Sequence, residues 1–298
     1  MTIAQGFEDW MKSVQSTMED ALASFLPPVS AVPARLHEAM RYAALDGGKR
    51  VRPLLVFAAG EVFDADTATL SRAGAAVEMI HAYSLVHDDM PCMDDDELRR
   101  GKPTVHVKYD EATALLVGDA LQSQAFIVLS EGEVEDPARR LEMLRLLAVA
   151  SGSVGMCGGQ AIDLGSVGLA LSLAELENMH RLKTGALLRA SVLLGALAGK
   201  RLTADETAAL DAYSAAIGLA FQVVDDVLDA TADSATLGKT AGKDAADNKP
   251  TYVSILGLDE SRALAEKLRD DAHRALMPFG DKARRLRELA DLIVQRKA

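Results

Sequence analysis

Residues 78–104 read EMIHAYSLVHDDMPCMDDDELRRGKPT, and this stretch carries both an apolar helix and a dense run of carboxylates. The apolar pattern places Asp88 and Asp89 at the end of the helix. Because Pro91 disfavours helical geometry in the residue before it, we expect the chain to turn there. Such a turn swings Asp94 back toward Asp88, whereas in a continuous helix the two would lie about 120° apart around the axis.

A second acidic cluster lies at residues 221–229, which read FQVVDDVLD. Asp225 and Asp229 are four residues apart and therefore share one face of a helix, with Asp226 beside them. The valines and leucine around them predict burial, and an unpaired buried carboxylate is destabilising unless a cation compensates it. Mg²⁺ binds carboxylate and phosphate oxygens, so two facing clusters could hold a diphosphate between ions. A solvated acidic face or helix end remains the alternative for each cluster.

The composition favours packed helices over sheet. Of the 298 residues 49% are apolar and only 4% aromatic, and alanine and leucine recur while β-branched clusters are few. Apolar spacing at i, i+3, i+4 and i+7, together with the positions of the prolines, predicts long helices. We expect them at 4–25, 34–45, 53–63, 67–90, 110–130, 138–164, 173–198, 204–231, 246–276 and 281–296.

The charge and the cysteines limit the classes of partner and compartment. A net charge of −12 argues against nucleic acid, because phosphate backbones are bound by clustered lysine and arginine. Two cysteines are too few for a disulfide framework, which favours a reducing, cytoplasmic setting. We find no apolar run of about 18 residues and no signal-peptide pattern, so we expect no membrane span.

Cationic residues stand beside both acidic clusters and could bind diphosphate oxygens, with arginine suited to two-pronged contacts. In the first half of the chain they are Lys49 and Arg52 in the loop GGKRVRP (residues 47–53), and Arg99, Arg100 and Lys102. In the second half they are Lys183, Lys239, Lys243 and Lys249. Any single one of these is more often a solvated surface charge.

These segments resemble the trans-prenyltransferase (polyprenyl synthase) family, and within it the bacterial farnesyl type. The resemblance covers most of the chain. Its motifs are GGKRVRP, the block at 78–104, GDALQ, GGQAIDL, HRLKTG, AFQVVDDVLD, LGKTAGKD and DNKPTYV. The two aspartate blocks together are highly specific, whereas GDALQ alone is weak.

The resemblance implies an all-α fold, with residues 1–298 forming one bundle of about ten or more long helices around a deep central cavity, usually in a homodimer. It implies magnesium-dependent, head-to-tail condensation of isopentenyl diphosphate with dimethylallyl or geranyl diphosphate. Three Mg²⁺ ions are implied, with Mn²⁺ able to substitute. Their main ligands would be Asp88, Asp94 and Asp225, and the lesser or water-mediated ones Asp89, Asp226 and Asp229.

The resemblance also divides the cationic residues between two substrates. Those that would hold the allylic diphosphate are Arg99, Lys183, Thr184, Gln222 and Lys239. Those that would hold isopentenyl diphosphate are Lys49, Arg52, His81 and Arg100. His87 has no implied role, and a satisfied core histidine is an equal alternative for it.

Product length can be argued from helix geometry. Tyr83 and Ser84 precede Asp88 by five and four residues, about one turn deeper in the helix, and should face the growing isoprenoid tail. A bulky Tyr83 would form a floor, which favours farnesyl diphosphate over a C10 or C20 product. A class I terpene cyclase is disfavoured because it has no second diphosphate to bind, and a non-catalytic subunit is disfavoured because the aspartates are complete.

Overall fold

Long α-helices determine the architecture of the chain. The computed structural model describes residues 3–132, 136–169, 171–231 and 250–296. The helices, numbered in chain order, are α1 (Ile3–Phe25), α2 (Ala34–Ala44), α3 (Val51–Val62), α4 (Thr67–Asp88), α5 (Val105–Lys108), α6 (Glu111–Ser130), α7 (Pro137–Ser151), α8 (Met156–Gly165), α9 (Leu173–His180), α10 (Ala186–Gly199), α11 (Ala204–Thr231), α12 (Tyr252–Leu256), α13 (Leu258–Ala275) and α14 (Arg284–Gln295). The all-α prediction is confirmed.

The strand content of the described residues is one small hairpin. Strand β1 (Leu98–Arg99) pairs antiparallel with β2 (Lys102–Pro103), with Leu98 opposite Pro103. This hairpin follows the acidic turn directly and was not predicted from the sequence. It fixes the position of Arg99 and Arg100 beside the end of α4.

Short polar side chains begin several of the long helices. The carboxylate of Asp66 accepts a hydrogen bond from the backbone N–H of Thr69 at the start of α4, and Asp110 accepts one from Thr113 at the start of α6. Each carboxylate satisfies a backbone donor that has no partner within the helix. The helix that carries the first acidic cluster therefore starts at a defined residue, which fixes the register of its far end.

The core is built from apolar helix faces that pack in pairs. Helix α4 packs against α6, α3 against α10, and α11 against α13. Helix α4 is buried along almost its whole length, from Leu70 to Val86. Both acidic clusters thus lie on helices that the core holds in place.

Two of the predicted helices are interrupted. The predicted helix 138–164 divides into α7 and α8 because the chain leaves helical geometry at Gly152, which has an extended ψ. The predicted helix 173–198 is continuous in direction but contains a π-helical turn, Arg181–Gly185, between α9 and α10. The backbone hydrogen bond of a π turn spans five residues instead of the four of an α turn, and such turns occur often at functional sites.

The C-terminal predictions also need correction. The predicted helix 246–276 is wrong at its start, because Thr251 is extended and caps α12, and Gly257 (φ 86°) separates α12 from α13. Residues 246–249 lie outside the described ranges. A 3₁₀ segment, Met277–Ala283, precedes α14 and replaces the first turn of the predicted helix 281–296.

Four helical stretches are long and apolar enough to cross a membrane when judged by length and composition alone. They are Glu111–Ser130, Pro137–Gly165, Leu173–Gly199 and Ala204–Thr231. Protein covers 33% to 67% of their most apolar windows. The expectation of no membrane span therefore stays a prediction, supported by the packing of these helices in the bundle.

Candidate active site

The first acidic cluster lies in a tight turn at the end of α4. The backbone N–H of Asp94 donates to the carbonyl oxygen of Asp88 at 2.8 Å, and that of Asp96 donates to the carbonyl of Asp89 at 3.2 Å. The chain thus folds back immediately after Pro91, as the proline predicts. The turn brings the carboxylate of Asp94 near that of Asp88.

The carboxyl group of Asp88 lies in an unfavourable electrostatic environment. Its pKa is raised to about 6, mainly by burial, while the charge of Lys183 lowers it and the nearby charge of Asp94 raises it. A partly buried carboxylate beside a like charge is stabilised by a bound cation. Hard-oxygen donors in this arrangement fit Mg²⁺, and in the described residues no group of three or more His, Cys, Asp or Glu could hold an ion alone. Water and substrate oxygens would therefore have to complete the coordination.

Asp89 and Arg99, which the sequence assigned to different ligands, form an ion pair with each other. The Nε of Arg99 donates to both carboxylate oxygens of Asp89, at 2.8 and 2.9 Å, and a terminal nitrogen donates to Oδ1 at 2.5 Å. Asp89 is only 3% exposed. In this structure the pair ties the hairpin to α4.

The three aspartates of the second cluster have distinct surroundings on α11. Oδ1 of Asp225 accepts a hydrogen bond from Arg296 at 2.6 Å. Asp226 is buried, and its Oδ2 accepts from the backbone N–H of Tyr252 at 2.8 Å. Asp229 is also buried, at 8% exposure. Asp225 is the most accessible of the three, with a side chain 40% exposed.

Lys183 lies in the π turn, between the two clusters. Its Nζ donates to Oδ2 of Asp163 on α8 at 2.5 Å, and its charge acts on Asp88. Helix α8 approaches closely at Gly159, where a Cβ would lie only 2.1 Å from the backbone nitrogen of Lys183. The close approach therefore requires glycine. It fixes the π turn and with it the lysine.

Two cavities meet at Lys183. The larger, of about 270 Å³, is lined by Asp88 and Lys183 and extends past Tyr83 and Ser84. A smaller one, of about 110 Å³, lies on the side of the second cluster. The residues of the smaller cavity that the sequence had singled out are Lys183, Gln222 and Asp226. Thr184 lines the larger cavity, and its hydroxyl donates to Oε1 of Gln222 at 3.4 Å.

The glycine loop before α3 packs against the guanidinium of Arg100. A Cβ at Gly47 or at Gly48 would lie 2.6 Å from a terminal nitrogen of Arg100, and Gly48 also has a φ of 81°. The backbone conformation therefore requires glycine at Gly48, whereas a side chain at Gly47 would only displace the end of Arg100. The loop and the hairpin together form one cationic surface.

A buried ion pair lies beneath this loop. Arg50 adopts a left-handed φ of 53° and donates to Oε1 of Glu78 on α4 at 2.7 Å. The two side chains are 3% and 4% exposed. Arg50 also donates to Oε1 of Glu19 at 2.5 Å, so α1 and α4 both anchor the loop.

The predicted isopentenyl diphosphate residues lie in a region of dense positive charge. Burial lowers the pKa of His81 well below its usual value, and the charges of Arg52 and Arg100 lower it further, which keeps the imidazole neutral. Burial also lowers the pKa of Lys49 and that of Arg52, and for both Asp225 opposes the shift. These residues therefore lie near the second acidic cluster as well as near the hairpin.

Lys239, assigned to the allylic diphosphate, lies outside the described residues, as do Lys243 and Lys249. The sequence reasoning missed Arg50, Glu78, Asp163 and Arg296. Asp163 falls in the quoted motif GGQAIDL, which offered a signal. Arg296 is two residues from the last position and gave none.

Comparison with known proteins identifies the family. The family model described as polyprenyl synthetase matches residues 33–277. The farnesyl diphosphate synthase of Escherichia coli (strain K12) is 48% identical over 295 residues, covering 97% of this chain and 99% of that protein. The probable farnesyl diphosphate synthase of Bradyrhizobium diazoefficiens is 52% identical over 285 residues, covering 95% of this chain and 86% of that protein.

Solved structures show the same fold. The apo crystal structure of an FPP/GFPP synthase from Zymomonas mobilis superposes with a TM-score of 0.88 at 45% identity, covering 98% of this chain and 100% of that one. The geranyltransferase of Helicobacter pylori, complexed with magnesium and isoprenyl diphosphate, superposes with a TM-score of 0.84 at 31% identity, covering 98% of each chain. The chain therefore belongs to the polyprenyl synthetase family of prenyltransferases.

Proposed function

We propose that this protein is a farnesyl diphosphate synthase, which condenses isopentenyl diphosphate head to tail with dimethylallyl diphosphate and then with geranyl diphosphate. One observation carries the proposal. Lys183 joins two acidic clusters at the mouth of a cavity that Tyr83 lines, and a second, separate cationic region lies on the glycine loop. A chain elongator needs both an allylic site and a second diphosphate site.

The allylic diphosphate would bind between the two clusters. Asp88, Asp94 and Asp225 would hold three Mg²⁺ ions, with Asp89, Asp226 and Asp229 in lesser or water-mediated roles and Mn²⁺ able to substitute. When bound, the ions supply the positive charge that stabilises the departing diphosphate. The protein residues that would share this contact are Arg99, Lys183, Thr184, Gln222 and Lys239.

Isopentenyl diphosphate would bind on the cationic region formed by Lys49, Arg52, His81 and Arg100. Neutral His81 can donate one hydrogen bond from its ring without adding charge among the arginines. Arginine forks suit the paired oxygens of a diphosphate. Arg52 and His81 line the same cavity as Asp88 and Lys183, so the two substrates would meet there.

The reaction follows from this placement. The bond between C1 and oxygen of the allylic substrate breaks, Lys183 and its neighbours bind the leaving diphosphate, and the apolar wall of the cavity excludes water from the cation. The isopentenyl double bond supplies the electrons of the new carbon–carbon bond to C1. A proton is then lost to the departed diphosphate, which leaves a trans double bond and a chain longer by five carbons.

Tyr83 would set the product length. Its side chain is 9% exposed and lies in the wall of the 270 Å³ cavity, one turn below Asp88. Burial raises the pKa of its hydroxyl to about 12, so the side chain stays neutral. Ser84 beside it is small and leaves Tyr83 as the bulky group. Geranyl and geranylgeranyl diphosphate are the alternative products.

A radiolabel assay tests the activity. Purified protein is incubated with Mg²⁺, labelled isopentenyl diphosphate and either dimethylallyl or geranyl diphosphate, and product length is read by chromatography. We expect C15 as the main product from both allylic substrates. The absence of condensation with either one would refute the enzyme proposal, and a main product of C10 or C20 would refute the farnesyl assignment.

The Tyr83 floor has its own test. We expect Tyr83→Ala to extend farnesyl diphosphate to C20, because the cavity gains the space of the phenol ring. Val77→Ala is the matched control, since Val77 is buried on the same helix and lies away from the cavity. Unchanged C15 output from Tyr83→Ala would remove Tyr83 from this role.

We also propose that residues 1–298 form one domain that acts in the cytoplasm as a homodimer. One hydrophobic core runs from Val14 on α1 to Ile293 on α14, which supports a single domain. Helix α6 exposes Leu115, Leu116 and Ile127 by 47% to 53%. An exposed apolar helix face of this kind supports burial against a second copy.

A further inference from the structure

His87 is a side chain near the reaction cavity to which the proposed chemistry assigns no role. It follows Tyr83 by one helical turn, so the two side chains lie on the same face of α4. Their rings meet edge to face, with centroids 5.9 Å apart and planes inclined by 73°. Both residues line the 270 Å³ cavity.

The imidazole of His87 is anchored to the neighbouring helix α6. Its Nε2 lies 3.1 Å from the backbone carbonyl oxygen of Leu115, which can only accept, so the ring nitrogen donates. A Cβ at Gly118 would lie 1.9 Å from the same nitrogen. The ring therefore occupies space that only a glycine on α6 leaves open.

Tyr83 also approaches α6 at its hydroxyl end. The side chain of Gln122, one turn beyond Gly118, lies close enough to the hydroxyl to oppose the rise in its pKa. The edge of its ring meets His87, which Leu115 holds in turn. The phenol ring is thus held through its contact with His87, which is itself anchored on α6.

We propose that His87 is a positioning residue for product length, which keeps the ring of Tyr83 across the cavity as a rigid floor. The inference rests on the proposed function, because it concerns where chain elongation stops. Without the imidazole, the phenol ring could rotate into the space that His87 vacates, and the cavity would open below C15. The identity of the floor residue and the rigidity of the floor are therefore separate properties.

Product analysis of four variants tests the proposal. We expect His87→Ala to form C20 from farnesyl diphosphate and isopentenyl diphosphate. The rate of its first condensation, whose short product does not need a deep cavity, should stay within about threefold of the wild-type rate. We expect Tyr83→Ala/His87→Ala to match Tyr83→Ala alone, since His87 acts through Tyr83. His87→Gln, whose amide can still donate to the Leu115 carbonyl, should keep C15 as its main product.

The outcomes separate this inference from the proposed function. C15 alone from His87→Ala, or additive gains in C20 from the two alanine variants, would overturn the positioning role. A His87→Gln product spectrum equal to that of His87→Ala would overturn the anchor on α6. If the wild type does not make C15, the proposed function is contradicted rather than this inference. The wild type is therefore assayed before the variants. Circular dichroism and the first condensation confirm that each variant is folded.

Discussion

At the scale of single residues, the site holds carboxylates where burial of their negative charge destabilises the folded state. Asp88 is the clearest case, because burial and the charge of Asp94 raise the pKa of its carboxyl group to about 6. The folded state therefore resists the charged form that an unfolded chain accepts freely. The charge is destabilising above about pH 6 and harmless below about pH 4, where both states are protonated.

We predict that Asp88→Asn stabilises the metal-free protein at pH 7.5, by up to about 3 kcal/mol, because it removes this buried charge. The gain should shrink as the pH falls from 6 to 4. Urea unfolding in the presence of EDTA measures it, and turnover of the same variant should fall by about 10³-fold or more. Asp95→Asn, an exposed member of the same cluster, is the control. Equal or lower stability of Asp88→Asn at pH 7.5 would contradict the prediction.

At this scale, the residues of the site were easier to predict from the sequence than the side chains they contact. Pro91 was sufficient to predict the fold-back that joins Asp94 to Asp88. The bidentate pairing of Asp89 with Arg99 was not predictable, because it depends on a hairpin of two-residue strands. Short strands leave little periodicity to read.

At the scale of elements, the loop before α3 is held by an ion pair rather than by its glycines alone. Arg50 and Glu78 are both buried, and Glu78 also acts on the charges of Arg52 and Arg100. One carboxylate on α4 therefore pairs with Arg50 and acts through its charge on two further arginines. Its removal affects both the stability of the fold and the place of the cationic residues.

We predict that Glu78→Leu costs up to about 3 kcal/mol of unfolding free energy, because it removes the buried partner of Arg50 and leaves only the partly exposed Glu19 to compensate its charge. KM for isopentenyl diphosphate should rise at least about tenfold, while KM for geranyl diphosphate changes little. Arg50→Met/Glu78→Leu should recover most of the stability but not the KM. If both KM values rise together, the pair supports the whole site rather than the loop.

The long helices were predictable from apolar spacing, but not all of their interruptions were. Helices α6 and α11 match the predicted ranges within one residue. The break between α7 and α8 falls at SGSVG (residues 151–155), whose two glycines are a turn signal in the sequence. The π turn after α9 instead accompanies close packing of α8 at Gly159, and a single sequence does not show such a contact.

At the scale of the whole molecule, the apolar face of α6 links assembly to chemistry. The same helix exposes Leu116 and Ile127 and accepts a hydrogen bond from His87 at the carbonyl oxygen of Leu115. A second copy covering that face would stiffen the helix that supports the cavity wall. Assembly and product length would then depend on one element.

We predict that Leu116→Glu/Ile127→Lys converts the proposed homodimer to a monomer, because burying charged side chains in an apolar interface without partners is strongly unfavourable. Light scattering coupled to gel filtration should show the mass falling from two chains to one. Val29→Glu, an exposed apolar position outside α6, is the control and should leave the mass unchanged. A wild type that already runs as one chain would refute the dimer.

The π turn between α9 and α10 has a consequence for how this chain can change in evolution. A π turn takes up its extra residue locally, so deleting one residue from Arg181–Gly185 would restore a regular helix without rotating α9 relative to α10. The helix would become more regular, yet Lys183 would no longer lie between the acidic clusters. The extra residue therefore behaves as an insertion that sets the position of the lysine, and its loss would spare the helix but not the site.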